Sequence, residues 1–453
     1  MKQPIINKIP LSRFNSFVSY ARNPRVKYHS KELEWYETDD QKILGALLID
    51  TIDNDYVGLV FAQDLNKKYR FINGVFSEPD QTKTRKSLIK LMHEMYPDAE
   101  ERGIQGDEKS KSMDFFAPIR KDNKDPNFLL ISTSNEYSAA KNIIEPLMRW
   151  YEDIDGNFVE QFQTTGFNQR LWEICLFSIF TENDCVFDTS HHAPDFHLNY
   201  IDGFYQFAFS IEATTVNRPV DRSGQPIAMP EVDQNDQVQY DNLITNYFPT
   251  RYSGPLLAKL KKKYWNEKHV DGKPLILAIT DCQFDGAGKV TGDALPIYLY
   301  GIKQSVSKSG KIKSEKIEKH IWGTKEVPSG FFNFEEAENI SAVIFTASCN
   351  VDKFNRMGLK DGFNSSKYKI RRIYQKLNTD NDTVETIQKI IPSKKYSERW
   401  DEGLIVYHNP NALHPFPIVA LSNATHFRMI DGIIHCDFIE PPITDDYSVI
   451  VGS

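Results

Sequence analysis

Pro194-Asp195-Phe196-His197-Leu198-Asn199-Tyr200-Ile201-Asp202-Gly203-Phe204 leads, eight residues later, into Glu212-Ala213-Thr214, and the fold is decided by how this stretch is read. Polar and apolar residues alternate on both sides of Asp202-Gly203, with Phe207, Phe209 and Ile211 on one face. An Asp-Gly pair between alternating runs predicts a two-residue hairpin turn, because both central positions need φ > 0. With that turn, Ile201 pairs with Phe204 and Asp195 lies opposite Ser210. Glu212 then shares the face of Asp195 and sits diagonal to it, roughly 7–8 Å away. Thr214 continues that face. Two carboxylates converging from neighbouring strands can hold one hard divalent cation, and Mg²⁺ favours such oxygen ligands.

Upstream, Gly166 to Phe180 is apolar almost all round, which predicts a buried helix, with Thr164 or Thr165 as its N-cap. Its polar exceptions are Gln169, Arg170 and Glu173. Spacings of three and four residues put them on one stripe. A polar stripe on a buried helix needs a partner, and the acidic face of the hairpin is the candidate. Downstream, Ser253 to Asn266 predicts a helix with Lys259, Lys261, Lys262 and Lys263 on a basic face. Lys273 to Thr280 is a continuous apolar run, as expected of a strand buried on both sides. The order is therefore helix, strand, strand, helix, strand.

This constellation resembles the PD-(D/E)xK nuclease superfamily, the restriction-endonuclease-like fold, over roughly residues 161–282. Pro194-Asp195 and Glu212-Ala213-Thr214 stand in the places of the family's Pro-Asp and Glu-x-Lys, and Glu173 matches its helical acid. The resemblance implies a central mixed sheet flanked by helices and metal-dependent phosphodiester hydrolysis. Mg²⁺, with Mn²⁺ as substitute, would be held by Asp195, Glu212 and Glu173, with the Ala213 carbonyl completing the ligands. Thr214 replaces the family's lysine, so that role falls to Thr214 itself, Lys259 or Arg170. Gln169, Arg170, Lys259 and Lys262 are the expected nucleic-acid contacts. DNA is the expected substrate, with a homodimer or partner subunit, in bacterial defence or repair. The wider chain is also similar to a family of bacterial proteins of comparable length.

At 453 residues the chain is long enough for two or three domains. The divisions expected are an N-terminal α+β domain at 1–155, the nuclease-like core at 156–285 and a β-rich region at 286–453, giving α/β and α+β architecture overall. Five scattered cysteines without a CxxC argue against a disulfide framework and a zinc site, and for a reducing, cytoplasmic compartment. No apolar run reaches the roughly 18 residues of a membrane span. The net charge of −8 does not favour indiscriminate nucleic-acid binding.

Residues 1–32 read as a basic, solvated arm packing on its own domain, with a nucleic-acid contact as the alternative. From Leu33 an antiparallel meander is expected, then a helix over Thr82–Tyr96, a strand at Phe128–Ser132 and a Pro146-kinked helix to Tyr151. A long polar loop separates Glu212 from about Thr245. Past Asp285, strands are expected at Pro296–Lys303, Ser341–Ala347, Gly403–His408 and Ile418–Leu421, with a lysine-rich hairpin over Lys303–Lys319. His191 and His192 read as a loop before the strand. Three functions fit: a metal-dependent nuclease, a nucleic-acid-binding or protein-interaction module that kept the fold without cleavage, and a scaffold without nucleic-acid affinity.

Overall fold

The computed structural model describes residues 3–108, 113–121, 123–151, 156–203, 205–230, 236–283, 287–307, 310–364, 367–379, 381 and 383–452. It is mixed α/β, with several sheets and helices.

An eight-stranded sheet runs through the middle of the chain. Its strands are β1 (Cys185–Phe187), β2 (Phe196–Asp202), β3 (Tyr205–Asn217), β4 (Leu275–Cys282), β5 (Ala342–Phe345), β6 (Ile405–His408), β7 (Thr425–Ile430) and β8 (Ile433–Asp437). They lie side by side in chain order. β1, β2 and β3 are antiparallel, while β3, β4 and β5 are parallel. The parallel steps need crossovers. Helix α2 (Phe248–Leu260) lies between β3 and β4, and helix α3 (Ala287–Tyr300) between β4 and β5. The helix before the sheet, α1 (Phe167–Glu182), is buried at every position from Leu171 to Phe180.

Strand alternation sorts the sheet into two cores. Ile211, Ala213, Ile276, Ala278 and Ile344 pack with α1 on one face. Val216, Leu275, Leu277, Ile279 and Val343 pack with residues of α2 and α3 on the other. β4 is buried on both sides, as its apolar run predicts.

At the N-terminus five antiparallel strands, Ile6–Ile9, Ser30–Thr38, Ile43–Asp50, Tyr56–Gln63 and Tyr69–Glu78, form a sheet in chain order. The helix Gln81–Met95 follows where one was expected. The arm before Leu33 packs on this sheet, as expected. Its helix Leu11–Val18 buries Arg13, whose Nε donates to Glu37 at 2.9 and 3.0 Å.

Other expectations are corrected. Phe128–Ser132 lies in a helix, Pro126–Thr133, because Asp125 caps the backbone N–H groups of Asn127 and Phe128, and Pro126 opens the first turn. Pro296–Tyr300 belongs to α3 and not to a strand, and Ile418–Leu421 is a short 3₁₀ helix. The loop before Thr245 contains a helix at Gln237–Asn242, capped by Asp236. α1 is capped at Gly166 without a side-chain hydrogen bond, not at Thr164 or Thr165. One disulfide joins Cys175 on α1 to Cys349, where none was expected. The lysine-rich hairpin is found as Ile302–Val306 paired with Ile312–Lys316. Among the described residues no helix is long and apolar enough to cross a membrane.

Candidate active site

β2 pairs with β3 from Asp202↔Tyr205 to Phe196↔Ile211 and goes no further. β4 follows the other side of β3 as far as Asn217. From Glu212 onward, therefore, the β2-side edge of β3 has no strand beside it among the described residues. Backbone groups at such an edge need other partners, and at Ala213 side chains supply them. The Ala213 N–H donates to Asp195 Oδ2 at 2.7 Å, and Gln169 Nε2 donates to the Ala213 carbonyl at 3.3 Å.

The observed register is two residues off the one expected. Asp202 pairs with Tyr205, so the turn lies one residue later, with Gly203 at φ +57°. A slip of two keeps every side chain on its face, and it moves Asp195 from a diagonal position to one directly across from Glu212. The Asp195 N–H donates to Glu212 Oε2 at 3.3 Å.

Each acid is held by a different element. Glu212 on β3 is 3% exposed and faces the α2 side, where Lys259 Nζ lies 2.5 Å and the Tyr264 hydroxyl 2.8 Å from Oε1. Glu173 on α1 is 2% exposed. It accepts from Arg170 Nη1 at 2.7 Å and Gln169 Nε2 at 2.9 Å, with the Tyr151 hydroxyl at 3.5 Å. Arg170 is itself anchored to Gln161 Oε1 through Nε at 2.9 Å.

Asp195 sits between them. Its surface is accessible because it opens onto a small cleft of about 100 Å³, shared with Arg170, His191, His192 and His197. Protein crowds it on its other sides. Desolvation, followed by the charges of Glu212 and Glu173, holds its carboxyl well above the usual range. Its opening to solvent tempers the first cause, but the two like charges push the same way. Burial also raises Glu173, against the pull of Arg170 and, more distantly, Lys259. Three acids thus share two cations.

The predicted residues divide accordingly. Glu173, Asp195, Glu212, Gln169, Arg170 and Lys259 are brought together. Thr214 is 7% exposed, on the same face of β3 as Glu212, and pairs with Ile279 of β4. Lys262 stands exposed just past the end of α2.

Sequence reading missed four neighbours: Tyr151, Tyr264, His197 and His269. His197 was within reach, since it shares the face of Asp195 two residues on. Its Nδ1 lies 2.9 Å from Ser210 Oγ, and burial, helped by His269, pushes its pKa down to about 4. His269 stacks on His191 with ring centres 3.8 Å apart, and its Nε2 lies 2.8 Å from the Ala193 carbonyl. His191 is thus part of a packed imidazole group and not only a loop residue. Among the described residues no group of three or more His, Cys, Asp or Glu is arranged to hold a metal ion. No protein-family model, curated protein or solved structure matches the chain.

Proposed function

We propose that the chain is a metal-dependent nuclease of the PD-(D/E)xK type, hydrolysing phosphodiester bonds in DNA. The observation that carries this reading is the meeting of Asp195, Glu212 and Glu173 at the unpaired edge of β3, with Lys259 beside them. The order α1, β2, β3, α2, β4 supports the restriction-endonuclease-like core.

The donor set fits a hard cation. Asp195 and Glu212 would hold it, with the Ala213 carbonyl as a third oxygen, a smaller set than a three-acid cluster. Burial, and after it the like charges of Glu212 and Glu173, raise the Asp195 carboxyl, and a divalent ion would favour its charged form. When bound, Mg²⁺ supplies Lewis-acid polarisation of a phosphate and a more acidic water. The protein's own part is positioning. Gln169 ties Glu173 to the Ala213 carbonyl, and Arg170 pairs with Glu173. Lys259 places its Nζ beside Glu212 Oε1, and takes over the role of the lysine that Thr214 replaces. Exposed Lys261 and Lys262 just beyond α2 offer charge for phosphates.

Thr214 in the lysine's place favours a second reading, a nuclease-fold protein that binds nucleic acid without cutting it. Incubating the purified protein with circular DNA, linear DNA and RNA, in Mg²⁺, Mn²⁺ or EDTA, separates the two. Cleavage that needs the metal and vanishes in Asp195→Asn supports the nuclease. Binding without turnover supports the second reading, and no affinity for any nucleic acid overturns both.

A further inference from the structure

A second and much larger cavity, of about 910 Å³, lies between the helix Leu11–Val18 with the turn after it, α1, β1 and the end of the helix Val351–Lys360. That volume is in the range of small-molecule sites. It adjoins the cleft at Asp195, sharing Trp150, Phe177, Phe187 and Thr189 with it.

Several acceptors line it. Asp361 is only 3% exposed, and its Oδ1 has no hydrogen-bond partner, with Lys360 Nζ 3.6 Å away. Asn15 Oδ1 is likewise buried and unpartnered. Glu182 gives its Oε2 to the backbone N–H groups of Trp400 at 2.6 Å and Asp401 at 3.3 Å. Its side chain nevertheless stays accessible although protein surrounds it, because it faces the cavity. Burial and neighbouring Asp401 push that carboxyl up to about 7. Buried acceptors are almost always satisfied, and Asp361 Oδ1 and Asn15 Oδ1 are not; with the accessible carboxylate of Glu182 beside them, the cavity suits a ligand that brings donors.

The other walls narrow its class. Tyr20 and Phe177 stack with centres 4.7 Å apart, and Trp150, Phe187 and Trp400 add further rings. The lining holds three acids, Glu182, Asp184 and Asp361, and three cations, Arg22, Arg25 and Lys360. That balance disfavours a polyamine, which would need an excess of acid. Arg25 is exposed at the cavity's edge, where a phosphate can reach it.

We propose that this cavity binds an amino-bearing nucleobase, that of an adenine, guanine or cytosine nucleotide. The base lies among the aromatic rings, its donors meet Asp361, Asn15 and Glu182, and its phosphate points to Arg25. Two sources share this chemistry, a free mononucleotide and a base turned out of a nucleic-acid strand. The inference does not rest on the nuclease reading.

Melting of the full-length protein with AMP, GMP, CMP, UMP, ribose 5-phosphate, spermidine or a short single-stranded oligonucleotide tests it. Saturating AMP, GMP or CMP, or the oligonucleotide, is expected to raise Tm by about 2 °C or more, and UMP, ribose 5-phosphate and spermidine are not. A response to mononucleotides identifies the free ligand, and one to the oligonucleotide alone identifies the strand. Glu182→Gln is expected to weaken binding about tenfold. Thr189→Trp, on an exposed wall, blocks the cavity without touching the fold's core. Arg25→Glu weakens nucleotides but not nucleosides. Asp195→Asn leaves binding unchanged, so loss of cleavage and loss of nucleotide binding are read separately. No response to any nucleotide or to the oligonucleotide, a response to spermidine alone, or binding that survives both Glu182→Gln and Thr189→Trp overturns the proposal.

Discussion

Two clusters of charge sit inside this protein, and they are built on opposite principles. In the first, Arg356 and Arg372 are each 1% exposed. Arg356 Nη2 reaches Glu398 at 2.8 Å and Asp446 at 3.0 Å, while Arg372 reaches Glu402 at 2.7 Å and Asp446 at 2.9 Å. Lys353, fully buried nearby, donates to the Trp400 and Glu402 carbonyls. Three acids meet three cations, and the arginines hold Glu398 well below the ordinary carboxylate range, and lower Asp446 too, despite their burial. In the second cluster Asp195, Glu212 and Glu173 meet two cations among the described residues, Arg170 and Lys259, and Asp195 and Glu173 are pushed up. A balanced network holds structure together, whereas an unbalanced one stores a preference for something positive. Perturbed groups in a cleft are where function concentrates.

The contrast is sharpest in Glu398→Ala. Removing one partner leaves buried arginines uncompensated, and a loss of about 3–5 kcal/mol is expected in urea unfolding. Asp195→Asn should do the reverse: relieve repulsion, leave the unfolding midpoint unchanged or higher, and reduce metal-dependent cleavage about 10³-fold. Should Asp195→Asn unfold the protein as Glu398→Ala does, the two clusters are alike and the distinction fails. Lys259→Met is expected to slow cleavage about 10²-fold, within the usual range for a proton-handling side chain, with DNA affinity nearly kept.

The pH dependence in EDTA separates them by sign. Glu398 and Asp446 have folded pKa values below their unfolded ones, so their stabilisation is present above the unfolded value and is lost as pH falls through the folded one. Asp195 is raised, so its contribution is full below its unfolded pKa and is lost as pH rises through the folded one. Asp195→Asn should flatten the decline on the alkaline side of that window and leave the acid limb alone. The smallest effect is thermal: saturating Mg²⁺ should raise Tm by about 2 °C in the wild type, and by nothing measurable in Asp195→Asn.

Much of the central sheet was legible because its signals are local. The β2–β3 alternation, the apolar run of β4 and the apolar helix α1 all stand where periodicity put them. The register was not legible. Asp202 stays in the strand, where it accepts from the Tyr28 hydroxyl at 2.7 Å and pairs with Lys27 at 3.3 Å. Those partners lie more than 170 positions away, beyond any local turn rule. Short apolar runs failed for another reason: Phe128–Ser132 has no period of its own, and the cap at Asp125 decides it. At the site the acids were visible as residue types. Tyr151, Tyr264 and His269 come from loops and helix ends whose approach only tertiary packing determines.

The early end of β2 has one more implication. Pro194 offers no N–H, so the ladder cannot grow past Asp195 in the ordinary way. A chain that replaced this imino acid and zipped one more pair of residues onto β3 would gain backbone bonds and displace the side chains that now satisfy Ala213. The cleft is in this sense a deliberate shortfall of pairing, kept open by what a single ring withholds.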